Sequence, residues 1–187
     1  MIEVFASINN HMLKGIMFHS QLADYFDFLN LHGLKRCQEY HFLLECSEMR
    51  GIHRYALNHI NKLIMDSPVE DPQVIPTNWK NYTRMQVDNN TRKSAVKEAF
   101  EKWFEWESLT KNFYEQQFKI LTENSKIAEA NKVNQLICDV DQELKEVTRK
   151  MLEYKSVDYS LDYILYQQDE LHEKYKEKTK NIGIDIC

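Results

Sequence analysis

Phe5, Met12, Ile16, Ala23 and Phe26 recur at steps of three, four and seven residues, the spacing that stacks side chains on one face of a helix. They predict a first helix over roughly Ile2 to Leu31, with Gly33 in NLHG marking its stop and a tight reversal. A second stripe runs through Leu34, Cys37, His41, Leu44, Glu45, Glu48, Ile52 and Tyr55 and predicts a helix from about Leu34 to Ile64. Gly51 inside it costs ~1 kcal/mol relative to alanine; the expected reason for it is a close helix contact, since a residue without Cβ lets a neighbour approach.

The stretch MDSPVEDPQVIPTNWKNYTRMQVDNN then holds all the prolines of the chain, Pro68, Pro72 and Pro76. Prolines this close break any helix, and the segment is too long for a tight turn. It reads as a crossover that lets the next helix start at either end of the second. A third helix is predicted to open near Asn90 or Thr91, either of which can cap it, and to bury Val96, Phe100, Trp103, Phe104, Tyr114, Phe118 and Leu121. After a polar break around Asn124 to Ala130, Val133, Leu136, Val140, Leu144, Val147 and Met151 mark a fourth. The tail is helix-compatible to about Lys178, either as a fifth helix or as an extension of the fourth.

Four amphipathic helices with one long crossover between the second and third predict an all-α four-helix bundle. The expected organisation is a single domain over 1–187 with a C-terminal helical extension over 154–187. A length of 187 residues supports one core rather than two, and Gly 4 with Pro 3 argues against a sandwich or barrel. A net charge of -5 gives no basic footprint for nucleic acid or an anionic membrane, and no apolar run is long enough to span a bilayer. Cys37, Cys46, Cys138 and Cys187 form no CxxC pair and no secretory leader is evident, so a reduced, cytoplasmic setting is expected.

The predicted inner faces are not purely apolar. The first helix offers His19, the second His41, Glu45 and Glu48, the third Glu107 and the fourth Glu143. An isolated buried carboxylate is expensive, so several that converge require solvent, protons or cations. Carboxylates with one or two imidazoles suit iron or manganese. Bridging carboxylates would hold two ions together, so that two ferrous ions could each give an electron to one dioxygen. The competing reading assigns each acid to a solvated helix flank and His19 or His41 to a hydrogen bond with a buried group. His11, His32, His53, His59 and His172 are expected to be surface, cap or packing residues, and Tyr25 and Tyr114 are candidates for electron transfer or for plain core packing.

These residues resemble the ferritin-like superfamily, the ferritins most of all, over about Ile8 to Met151. HGLKRCQEYHFLLECSEMRGIHRYALNHI is similar to the ferritin second helix with its ExxH ligand motif, PTNW followed by AVKEAFEKWFEWESLT to the third-helix entry, and QLICDVDQELKE to the ligand-bearing block of the fourth. The resemblance places the second-helix glutamate on Glu45 and sets Glu48 where histidine is usual, so that ECSE replaces ExxH. It places the remaining ligands on Glu107 and Glu143, with Val140 where a glutamine is usual. The first-helix bridging glutamate would fall near His11 or Met12, where there is no carboxylate, and His19 is the nearest inward candidate. The resemblance implies iron binding at a one- or two-ion site, with ferroxidase activity and iron storage in a homo-oligomeric shell. Glu45, Glu48, Glu107 and Glu143 would be ligands, completed by His19 or His41; a manganese site and a metal-free bundle are the variants it leaves open. The alternative is a non-enzymatic ferritin-like scaffold for self-assembly or for another protein. A two-metal oxygenase is disfavoured because ELKE stands where its second ExxH would be.

Overall fold

Phe5, Ile8, Met12, Leu22 and Phe26 are completely buried along one face of α1 (Ile2–Phe28), which follows from their helical spacing. The computed structural model describes residues 1–65, 67–75, 79, 83–84 and 87–182. The chain reverses at 29–31, where Asn30 takes a left-handed conformation with φ of 59°.

Gly33 is therefore not the turn residue; it lies in the first turn of α2 (His32–Tyr55). Its lack of a side chain has a different cause, because a Cβ there would collide with the main chain of Gln168 near the end of the sequence. The Gln168 side chain accepts the Gly33 and Leu34 N–H groups at 2.9 and 3.2 Å, satisfying two donors that a helix start leaves open. Gly51 meets nothing within 4 Å of where its Cβ would be, so the expected close helix contact is absent there. The helix closes in a π-helical turn, Ala56–Ile60, and Asn61 leaves it with φ of 55°.

The long crossover follows and runs back along the bundle. Val74 and Val87 anchor it by burial, and Gln21 of α1 accepts the Val74 N–H at 2.9 Å. Of the PTNW segment, only Trp79 falls within the described residues, packed edge-on against Tyr25. Cys187 also lies outside them. α3 (Asn89–Glu123) is capped by Asp88, not by Asn90 or Thr91: its carboxylate accepts the Thr91 N–H at 2.7 Å.

α3 pairs with α4 (Ile127–Ser156) as α1 pairs with α2. Tyr154, where the C-terminal extension was expected to begin, is fully buried inside α4. After a bend at 157–160 come α5 (Leu161–Tyr166) and α6 (Gln168–Lys180), and α6 packs along α2 through Leu171 and Tyr175. The tail is thus a pair of short helices and not a continuation of the fourth. No described helix is long and apolar enough to cross a membrane.

The core has two apolar clusters. One gathers Phe5, Ile8, Met12, Ile52, Tyr114 and Leu136, and the other Leu22, Phe26, Cys37, Trp103, Val147 and Tyr154. Chain direction follows from the order in which each helix visits them. α1 and α4 run from the first cluster to the second, α2 and α3 from the second to the first, which is an up-down-down-up bundle. Every long helix must cross the zone between the clusters, and there the buried residues are polar: His19, Gln38, His41, Glu45, Glu107 and Thr110.

Candidate metal centre

The zone is assembled one helix at a time. α1 contributes His19, fully buried, whose Nδ1 lies 2.8 Å from Oε1 of Gln38 on α2. A carbonyl oxygen only accepts, so neutral His19 carries its hydrogen on Nδ1 and presents a lone pair at Nε2. That nitrogen faces Glu107 of α3 at 3.5 Å. Glu107 is itself aimed by Trp103 one turn earlier, whose indole N–H donates to Oε1 at 2.9 Å. α2 also contributes His41, with Nδ1 3.4 Å from Glu143 of α4 and its ring stacked on that of His19 at 5.4 Å.

His19, Glu107 and Glu143 each offer one donor atom within 4.8 Å of the other two. Nε2 of His19, Nε2 of His41 and Oε2 of Glu45 have no hydrogen-bond partner among the described residues. Unsatisfied buried polar groups are costly in a dry interior, and a divalent cation is a partner that imidazole nitrogen and carboxylate oxygen can share. Ligand atoms around such an ion stand about 3 Å apart, so modest side-chain adjustment closes this set around it.

Electrostatics point the same way. Burial pushes the Glu107 carboxyl up to about 7, against the opposing pull of His41 and the Trp103 hydrogen bond. Burial, helped by His41, lowers His19 to about 4, so it is neutral and ligand-competent. For His41 burial disfavours the charge, yet the Glu143 carboxylate and the Cys37 thiol outweigh it and raise the group well above its usual range. Glu45 and Glu48 are both raised, first by burial and then by carboxylate neighbours, Glu48 and Glu143 for the former and Glu143 and Asp139 for the latter. A cation would ease the burial of the three raised carboxyls, and His41 would give up its proton to join them as a ligand.

Of the six residues singled out in the sequence, His19, Glu107 and Glu143 come together, and His41 adjoins them through Glu143. Glu45 and Glu48 stand outside the three-residue cluster. Glu45 turns onto Gly15 of α1, and Glu48 lines a cavity of about 230 Å³ beside His41, Asp139 and Glu143. The first-helix position expected near His11 or Met12 is displaced. His11 is stacked on Trp106 and Phe113 and bonded to Thr110, Met12 belongs to the apolar cluster, and Gly15 is the residue that faces the Glu45 carboxylate. Gly15, Gln38, Trp103 and Asp139 are the contributors that sequence reasoning missed; a glycine in the middle of an apolar helix was the one visible signal among them. The Tyr114 hydroxyl is buried and is raised chiefly by burial, then by Glu45, whereas Tyr25 packs in the other cluster against Trp79.

Helix order, helix direction and the long crossover make up a fold that solved ferritins share, and α5 and α6 follow the four long helices. Solved structures with this fold include an open-pore ferritin from the hyperthermophilic archaeon Archaeoglobus fulgidus, and a closed form of the A. fulgidus ferritin engineered by site-directed mutagenesis. Each aligns with a TM-score of 0.76 over 92% of this chain and 94% of its own, at 15% identity, a likeness of fold alone. No family model matches the sequence, and no curated protein does.

Proposed function

We propose that this protein binds iron in the polar zone of its bundle and oxidises ferrous to ferric ion, with dioxygen or peroxide as the oxidant. The observation that carries the reading is the convergence of His19, Glu107 and Glu143 from three helices within 4.8 Å in a buried setting. In this reading His19 and the two carboxylates hold one ion, His41 completes the set from the second helix, and Glu45 with Glu48 serves a second, adjacent position.

Bound ferrous iron supplies the electrons: two ions giving one each, with two protons, reduce dioxygen to hydrogen peroxide. The protein's share is positioning. Gln38 holds the His19 hydrogen on Nδ1 so that Nε2 stays available, Trp103 fixes one Glu107 oxygen, and the apolar clusters on either side exclude bulk water. Glu107, raised to about 7, sheds its remaining proton as a cation enters. The donor set suits manganese as well as iron, and metal analysis of the purified protein distinguishes them.

Storage in a homo-oligomeric shell belongs to the same proposal. It is supported by Leu109 and Leu152, which expose 62% and 63% of their surface on α3 and α4; light scattering reports the assembly state. Cys37, Cys46 and Cys138 are free thiols, which fits the expected cytoplasmic setting.

The decisive experiment is ferrous titration in air, followed by ferric absorbance. Oxidation above the protein-free background that is lost on replacing His19 and Glu107 together supports the reading, and background rates alone sink it. The second reading, a metal-free scaffold, is favoured by Gly15 standing where the first helix faces Glu45; neutral His19 would then contact Glu107 and His41–Glu143 would be an internal ion pair.

A further inference from the structure

The cavity beside His41 is the surface approach to the metal centre, because exposed Asp139 and Gln142 line it together with the buried histidine. Four carboxylates face it, those of Glu48, Asp139, Glu143 and Glu146. Such a concentration of negative charge with low-dielectric walls should draw cations inward. Its lining lysine opposes it: Lys178, which comes from α6 and not from the four-helix bundle.

Lys178 is held where it is by several contacts. Its Nζ lies 3.6 Å from Glu146 and stands over the rings of Tyr40 and Tyr175 at 5.1 and 5.0 Å. Tyr175 is 1% exposed and donates its hydroxyl to Glu146 at 2.5 Å, and Lys174 reaches the same carboxylate at 2.9 Å. The segment carrying the ammonium is therefore seated firmly on α2 and α4, while the ammonium itself sits on a flexible four-carbon stem.

We propose that Lys178 is a tethered competitor at the cation entrance: its ammonium fills part of the cavity mouth and an incoming divalent ion must displace it. Gating by α6 rests on the metal-centre reading above and adds a control on access to it. The lysine neutralises part of the attracting field and so slows entry, and it imposes a preference for charge-dense ions over monovalent ones.

Stopped-flow quenching of tryptophan fluorescence by cobalt(II), an ion that does not turn over with oxygen on this timescale, reads entry through Trp103 beside Glu107. Lys178→Gln is expected to bind cobalt faster by about threefold or more at low ionic strength, and Lys178→Arg to keep the native rate. Glu146→Gln is expected to slow entry, because it removes one attracting charge and frees both lysines to lean over the mouth. Lys176→Gln, on the exposed side of α6, is expected to change nothing. Equal rates for the native protein and Lys178→Gln, with cobalt still bound, overturn the gate and leave the metal centre standing. No cobalt binding by any of the proteins overturns the metal-centre reading, and the gate with it.

Discussion

Glu45 of α2 turns its carboxylate onto Gly15 of α1 so closely that a methyl group on Gly15 would lie 2.5 Å from Oε1. The space that a first-helix side chain would occupy is thus filled by a second-helix acid. Gly15→Ala gains ~1 kcal/mol of helix propensity but forces the end of a flexible side chain to move. The expected net change in stability is within about 1 kcal/mol, with a clear change in the number of ferrous ions bound. Thermal melting and anaerobic iron titration measure the two separately. A loss above about 3 kcal/mol would show that Glu45 is locked and cannot yield.

Gln38 is expected to matter to metal binding without being a ligand. Gln38→Leu removes the acceptor that fixes the His19 tautomer, and the loss of such an orienting partner typically weakens affinity by roughly tenfold to hundredfold. Calorimetric titration with cobalt(II) tests this. Affinity equal to that of the native protein would mean that His19 does not ligate through Nε2.

Stability of the metal-free protein should fall as pH rises above about 6.5. A carboxyl raised on folding holds its proton better in the folded chain, so its contribution is full below its ordinary value of 4.5 and is lost as pH passes its folded value, about 7 for Glu107. Glu45 and Glu48 act with the same sign, and so does His41 above 6.5. His19 and His11, both lowered to about 4 by burial, act with the opposite sign, but only between 4 and 6.5. The decline is therefore unopposed above 6.5. Melting temperatures across pH 5 to 9 check it, and Glu107→Gln should flatten the slope up to about pH 7. A saturating divalent ion should stabilise more at higher pH, because its ligands must be deprotonated.

Two glycines of α2 should respond in opposite ways. Gly51→Ala meets nothing within 4 Å and should stabilise by ~1 kcal/mol. Gly33→Ala drives a methyl into the Gln168 main chain, which cannot swing aside as a side-chain tip can. It should cost about 2 kcal/mol or more through overpacking and a loosened hydrogen-bond pair. Chemical denaturation of the two variants is sufficient, and a neutral Gly33→Ala would mean that α6 does not hold its place on α2.

Helix phase made much of the bundle legible, since Phe5, Phe100, Trp103 and Val147 sit where their spacing puts them. It also picked out His19, His41 and Glu107 as inward-facing, because a polar residue within an apolar stripe stands out. Phase resolves rotation about an axis and little more. Glu45 and Glu48 share the stripe, yet three residues separate them by about 60° of rotation and about 4.5 Å of rise, enough to send one carboxylate to Gly15 and the other to the surface cavity. Gly33 and Gly51 show the same limit. A glycine in sequence signals that something approaches closely or a turn is needed, and only the position of Gln168 tells which.

The donors at the start of α2 are satisfied by a side chain 135 residues further along the chain. Local helix growth takes well under a millisecond, but this junction waits for a long-range closure whose entropy must be met first. The second helix, which carries His41, Glu45 and Glu48, should consequently be among the last to settle during refolding. The rate at which native helix ends form should track the docking of α6 and not the collapse of the four-helix core.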